Sequence, residues 1–367
     1  MKERIRRQFE KLAGLVGPSG SEYDVVRYCC QELRPLAAAV EMLPNGSVCA
    51  RFDGRGPGPN VMIDAHADEI GVLVRYISPS GFLFFETLGG AHIKTLLARR
   101  MIVRGAKGCV PGVVGMPPGH IQTAAEISSL PEVSKCYIDV GASSREEVLE
   151  MGIEVGSVAV FDSPVVPMHN PDLLTGRCID DRMGCALLLE LARNLKDIEF
   201  AGSVCLSIST MEEIGLIGAC QASAHVKPDY FIALDTIPAG GTPDVPEERL
   251  PIAINRGPVL SLADAGKTIS AMPNRGLLRH VRAAAGDAGI PLQTVTMFGH
   301  SYSNNADGVD RYGSHCPAVA LSIPRRYSHS PIEMVHLDDC VLAYRLLAKL
   351  VERNADASFD FLPDAMA

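Results

Sequence analysis

The chain has 367 residues, 47% of them hydrophobic and 21% charged, and carries a formal net charge of -9 at pH 7. That length suits two domains better than one, and a chain of this composition buries a large core, which excludes a disordered protein. No apolar run approaches the ~20 residues of a membrane span. The acidic balance has no basic stripe to offset it, so neither a membrane nor a nucleic acid is expected as a partner.

The opening stretch, "MKERIRRQFEKLAGLVG", is basic but has no long apolar segment or cleavage site, so it reads as an amphipathic helix rather than a secretory signal. Residues Glu3 to about Leu36 hold two such helices, the second opening at "GSEYDVVRYCCQEL" with Ser21 as N-cap and Asp24 at the N3 position. "NVMIDAHA" is then a buried strand. Between Val72 and Pro164 short Val/Phe/Ile runs are broken by turns, as in "VLVRYISPSGFLFFETLGG" and "MIVRGAKGCVPGVVGM", which predicts a β-rich insert. Beyond Val165, "RMGCALLLELARNL" has the length and spacing of a buried helix, and "GSVCLSIST", "DYFIALDT" and "CPAVALSIP" read as buried strands of a parallel or mixed sheet. "NRGLLRHVRAAAGDAG" is a further helix closed by Gly289. The expected architecture is an α/β domain of residues 1–71 and 165–367, interrupted by a β-rich domain of residues 72–164. The eleven cysteines are odd in number and form no C-x-x-C pair, so they are expected as buried small apolar residues in a reducing compartment, the cytoplasm.

Four polar sites share one place in this scheme, at or just past the carboxyl end of a predicted strand. His66 follows "VMIDA", Glu212 and Glu213 follow "VCLSISTM", Asp235 ends "YFIAL", and His329 comes after "VALSIPRRYS". Open α/β sheets bind ligands in the crevice outside those strand ends. Asp180 and Asp181, in "GRCIDDRMG", stand immediately before the buried helix, where its dipole favours a carboxylate. Singly, each has a plain structural reading: a hydrogen-bonded histidine, a helix cap or a partner for Arg182, a solvent-facing glutamate. Jointly, two histidines and several carboxylates in one crevice call for cations among them, and nitrogen and oxygen ligands of this kind suit a hydrolytic zinc or cobalt-type pair.

The pieces "IDAHADEIG", "IDDRMG", "MEEIGLIGA", "ALDT" and "IPRRYSHSPIEMV" occur in an order that resembles the tetrahedral (TET) aminopeptidases, dinuclear metallopeptidases related to glutamyl aminopeptidase. The resemblance spans nearly the whole chain, including "YIDVGASSREEVLEMGIEVGS" in the insert. It implies a zinc-peptidase-like, mixed-sheet α/β catalytic domain with an inserted β-barrel-like dimerisation domain. It also implies two divalent metal ions per subunit, zinc first and cobalt or manganese in its place. His66, Asp180 and Asp235 would hold one, and Asp180, Glu213 and His329 the other, with Asp180 bridging. Glu212 would be the general base on the metal-bridged water, and Asp68 would orient His66; residues i and i+2 of a strand share a face, so the geometry agrees. The implied reaction is hydrolysis of the first peptide bond of short peptides by a homo-oligomer, in which dimers assemble into a hollow dodecamer.

Departures from the family pattern are Met211, where relatives carry Gln, Cys178 close to Asp180, and the loop "FGHSYSNNADGVDRYG", in which Asp307 is matched to the aspartate of a Gly-Gly-Thr-Asp-Ala-like motif. "GHSYS" also nearly reads as the elbow of a serine hydrolase, but Ser303 replaces its last glycine and no strand-turn-helix pattern is read around Ser301. Asp64 and Glu69 are left with local pairing alone. Two other classes are carried as alternatives: a glycosidase-like hydrolase on the same scaffold, which would need two carboxylates and no metal, and a non-catalytic assembly protein.

Overall fold

The computed structural model describes residues 1–266, 269–298, 300–360 and 362. Strands Ser203–Ser209, Asn60–His66, Tyr230–Pro238 and Ala318–Arg326 lie side by side and parallel in the middle of a mixed sheet. Strands Val48–Asp53 and Ala39–Met42 extend one edge antiparallel, and Glu333–His336 and Leu173–Gly176 extend the other. The four central strands are buried almost without interruption, which is why their sequences are continuous apolar runs. Successive side chains nevertheless enter opposite cores: Val61 and Ile63 go to one, Met62 to the other. Helix Ile179–Asn194, buried along nearly its whole length, packs with helices Lys2–Ala13 and Leu337–Glu352 over the first face. Helices Ile217–Val226 and Asn305–Tyr312 cover the second.

A second body interrupts this sandwich. Strands Gly71–Ile77, Leu83–Leu88, Tyr137–Asp139, Gly108–Val114, Arg100–Gly105 and Val158–Phe161 close into an antiparallel barrel. Its interior, including Val72, Phe85, Met101 and Ile138, forms a core of its own. The chain enters the barrel at Gly71, where an added Cβ would stand 2.7 Å from the Ala159 carbonyl oxygen and 3.0 Å from Pro18, so only glycine fits this crossing. An ion pair between Arg104 of the barrel and Asp24 of helix Tyr23–Leu33 ties the two bodies together.

One expectation is corrected. Ser21 does not cap the second helix, which runs Tyr23–Leu33 from Glu22 without a side-chain cap. The Glu22 carboxylate instead accepts the N–H of Gly20 at 2.9 Å and of Met211 at 3.0 Å, which pins the helix start to the loop after strand Ser203–Ser209. All the cysteines except Cys109 are buried, and none is paired. Among the described residues no helix is long and apolar enough to cross a membrane.

Candidate metal centre

Sheet register sets the site. Ser209 stands opposite His66 in the parallel pair, so the chain beyond Ser209 carries Glu212 and Glu213 over the end of the His66 strand. On the other side Ala233 pairs with Asp64, which brings Asp235, two residues on, level with His66. Asp180 opens helix Ile179–Asn194, and His329 follows strand Ala318–Arg326. Around these side chains the backbone of several non-glycine residues is left-handed, with φ of 50° at Cys178, 55° at Met211 and 54° at His329. Such conformations cost about 1–3 kcal/mol each and collect where a fold over-determines a functional loop. Both residues noted as departures from the family pattern, Met211 and Cys178, thus do backbone work beside the site.

Asp180 is central. Its Oδ1 lies 3.2 Å from His66 Nε2 and its Oδ2 lies 3.2 Å from His329 Nε2, one carboxylate oxygen for each imidazole. Glu212 and Asp235 each approach His66 Nε2 to 3.9 Å, while Glu213 lies 3.4 Å from His329 Nε2. Potential ligand atoms therefore fall into two groups, His66/Glu212/Asp235 and Asp180/Glu213/His329, each within 4.8 Å. The five residues expected as metal ligands and Glu212, expected as the base, converge; Glu212 groups with His66 and Asp235, in the place the resemblance gives to Asp180.

Asp68 is a hub. Its Oδ1 lies 3.4 Å and its backbone oxygen 3.2 Å from His66 Nδ1. The same carboxylate accepts the N–H groups of Glu212 at 3.0 Å and Glu213 at 3.1 Å, and the Ser19 hydroxyl at 2.6 Å. One buried aspartate thus fixes the His66 ring and the loop bearing both glutamates.

The acids oppose one another. Burial, followed by the Asp180 charge, pushes Asp235 up to about 7. Burial and Asp180 also raise Glu213 to about 7 against the opposing pull of His329. Burial drives Glu212 far above the carboxylate range. Burial would raise Asp180 as well, but Arg325, His329 and His66 outweigh it and hold Asp180 well below that range. A buried site with four carboxylates resists ionising all of them unless positive charge is supplied. Among the described residues buried Asp181 Oδ2 has no hydrogen-bond partner, and Glu213 Oε1 has only the His329 imidazole, 3.4 Å away. Two imidazoles and several crowded, buried carboxylates fit a pair of divalent cations of the zinc, cobalt or manganese kind.

The structure adds residues that the sequence left unassigned. Arg325 pairs with Asp180 and Glu333 inside the site. Gly89 and Gly90, from the turn after barrel strand Leu83–Leu88, lie against the ligands: an added Cβ at Gly90 would stand 1.9 Å from His329 Nδ1, and one at Gly89 3.0 Å from Glu213. Two adjacent glycines closing a barrel strand were the available signal. Glu69 pairs with Arg177 and Arg182, and buried Asp64 accepts from Ser209 and Asn305. Arg182 therefore serves Glu69 and backbone carbonyls, not the Asp180–Asp181 pair.

The site opens into a cavity of about 700 Å³ whose wall includes Leu216, Leu250, Ile269, Met297 and Tyr302. Ser301 lies on this wall between strand Gln293–Thr296 and helix Asn305–Tyr312, so a strand and a helix do flank it, contrary to the sequence reading. The long loop between them is not a sharp nucleophile elbow, and Gly299 of the "GHSYS" stretch lies outside the described residues. Asp307 is buried and closes a capping box with Asn304 at the start of that helix.

A model of the M42 glutamyl aminopeptidase family matches residues 46–346. The lysyl aminopeptidase of Pyrococcus furiosus is 32% identical over 357 residues, covering 95% of this chain and 97% of its own. The solved TET aminopeptidase from a marine-sediment Thaumarchaeota archaeon superposes with a TM-score of 0.88 at 34% identity, over 96% of each chain. The TET1 peptidase of Pyrococcus horikoshii, described as assembling into a tetrahedron or a large octahedral shell, superposes with a TM-score of 0.83 at 29% identity, over 95% of this chain and 99% of its own.

Proposed function

The chain belongs to the M42 glutamyl aminopeptidase family, a family of metal-dependent hydrolases, and from that premise we propose that it releases the N-terminal residue of short peptides using two divalent cations. The observation that carries the reading is the Asp180 carboxylate, whose two oxygens each face a different histidine at 3.2 Å, the arrangement a ligand shared by two cations requires.

His66, Asp180 and Asp235 would hold one cation and Asp180, Glu213 and His329 the other. When bound, the pair would acidify the attacking water and polarise the scissile carbonyl. Glu212 takes the proton of that water and passes it to the leaving amine, a role its place on the cavity wall beside His66 and Asp235 supports. Asp68 holds the ring of His66 and, through two backbone N–H groups, sets the direction in which Glu212 and Glu213 diverge. Zinc is the first expectation for the cation, with cobalt or manganese able to replace it.

The catalytic part comprises residues 1–71 and 165–367, and the insert, residues 72–164, is the dimerisation domain. In support of that role, Met116, Ile121, Ile127 and Leu130 of the insert are exposed, an apolar surface that a second copy would cover. The TET1 relatives, described as a dodecamer and as assembling into a tetrahedron or octahedral shell, support a homo-oligomer, and the family resemblance extends this to dimers building a hollow dodecamer that admits only short peptides. Unpaired buried thiols suit the cytoplasm. The test is a set of tri- to pentapeptides with free or acetylated amino termini. Stepwise loss of the first residue from the free peptides alone is expected, and internal cleavage or indifference to acetylation would overturn the reading.

A further inference from the structure

Arg325, near the end of strand Ala318–Arg326, has a side chain only 2% exposed, and it points into the centre built around Asp180. Its Nε donates to Thr236 Oγ1 at 2.6 Å, its Nη1 to Glu333 Oε1 and its Nη2 to Asp180 Oδ2. Thr236 and Glu333 hold the guanidinium independently of Asp180. Glu333 is itself fixed, accepting the N–H of Asp180 at 3.0 Å and of His329 at 3.1 Å. The fork is therefore a permanent cation of the site.

Its placement makes the two sides of Asp180 unequal. Oδ1, which faces His66, receives a neutral hydroxyl, Thr236 Oγ1, at 3.1 Å. Oδ2, which faces His329, is shared with the charged guanidinium. A metal ion on the Glu213/His329 side must take a carboxylate oxygen already engaged in a charge-assisted bond, and must sit beside a fixed positive charge. One on the His66/Asp235 side takes the oxygen that holds only a neutral hydroxyl, although the guanidinium's charge reaches Asp235 as well as Glu213.

We propose that Arg325 grades the metal pair: it orients Asp180 and weakens the cation on the Glu213/His329 side, making that position the exchangeable one. The inference rests on the two-cation reading of the same site. Replacing Arg325 removes the competing charge and leaves Glu333 as an extra negative group, and both changes strengthen that side.

The test is a stepwise titration of chelated protein with cobalt(II), followed by calorimetry and by the visible absorption of the bound ion. In the native protein two steps are expected, separated by about tenfold or more, the scale of one bond to a charged group. Glu213→Gln should abolish the weaker step and leave the tighter one. Arg325→Met should tighten the weaker step by about tenfold, and Arg325→Lys, which keeps the charge, should preserve the gap. Two native steps of equal affinity, loss of the tighter step in Glu213→Gln, or an unchanged gap in Arg325→Met would each overturn the proposal while leaving two bound cations. A native protein that binds no cobalt would overturn the two-cation reading as well. Should Arg325→Met not fold, the native and Glu213→Gln titrations still decide.

Discussion

Asp68 accepts the backbone N–H of Glu213 at 3.1 Å while its other carboxylate oxygen lies 3.4 Å from His66 Nδ1. The ligand on one side of the site and the loop on the other are thus positioned by one buried side chain. Asp68→Asn keeps the shape but replaces an acceptor with a donor that faces either an imidazole N–H or a backbone N–H. A loss of ~10–100-fold in metal affinity or activity is expected. Metal retained after dialysis, read beside turnover, checks it. Native retention together with native turnover would contradict the hub role.

Glu212→Gln separates a base from a ligand. Glu212 stands 3.9 Å from His66 Nε2, close enough for either role. As the base, its loss should leave metal content intact and lower kcat by ~10²–10⁴-fold with little change in KM. A parallel drop in bound metal would instead make Glu212 a ligand.

Gly90 tests how closely the barrel abuts the site. A Cβ there would stand 1.9 Å from His329 Nδ1, so Gly90→Ala must displace the ring. Activity is expected to fall by at least about tenfold while the denaturation midpoint moves little, since a ligand shift of ~1 Å is costly to catalysis. Gly286→Ala, where an added Cβ meets nothing within 4 Å in helix Arg275–Asp287, is the control and should keep full activity.

A pH-dependent cost of folding is expected at Asp264, which lies outside the ligand set. Burial raises its carboxyl to about 6 from 3.8, against the opposing bond from Asn304. Because the folded value lies above the unfolded one, the penalty is absent below the unfolded value and grows as pH rises through about 6. Asp264→Asn should therefore stabilise the metal-free protein near neutral pH, by up to ~3 kcal/mol, and much less at about pH 4. Denaturant unfolding at the two pH values checks it, and an equal difference at both would contradict it.

What the sequence revealed depended on whether a residue's partners were near it in the chain. His66, Glu212, Glu213, Asp235 and His329 were legible because each lies at or beyond the end of an apolar run, and buried strands announce themselves by composition. Glu69 looked locally paired, yet its partners are Arg177 and Arg182, more than a hundred residues away. Arg325 has no assignment from the sequence. Its meaning comes from Thr236, Asp180 and Glu333, which only the folded sheet brings together. Gly89 and Gly90 have no assignment either, because nothing local shows that their turn lies over His329. Ser21 was misread because capping statistics know nothing of the Met211 N–H that claims Glu22.

The central claim is a metal-dependent aminopeptidase, and a panel of aminoacyl chromogenic substrates with chelated enzyme tests it most directly, restoring zinc, cobalt or manganese one at a time. The expected result is no release from the chelated enzyme and recovery of release with at least one of the three ions. Release that persists without metal, or none with any ion, would contradict it.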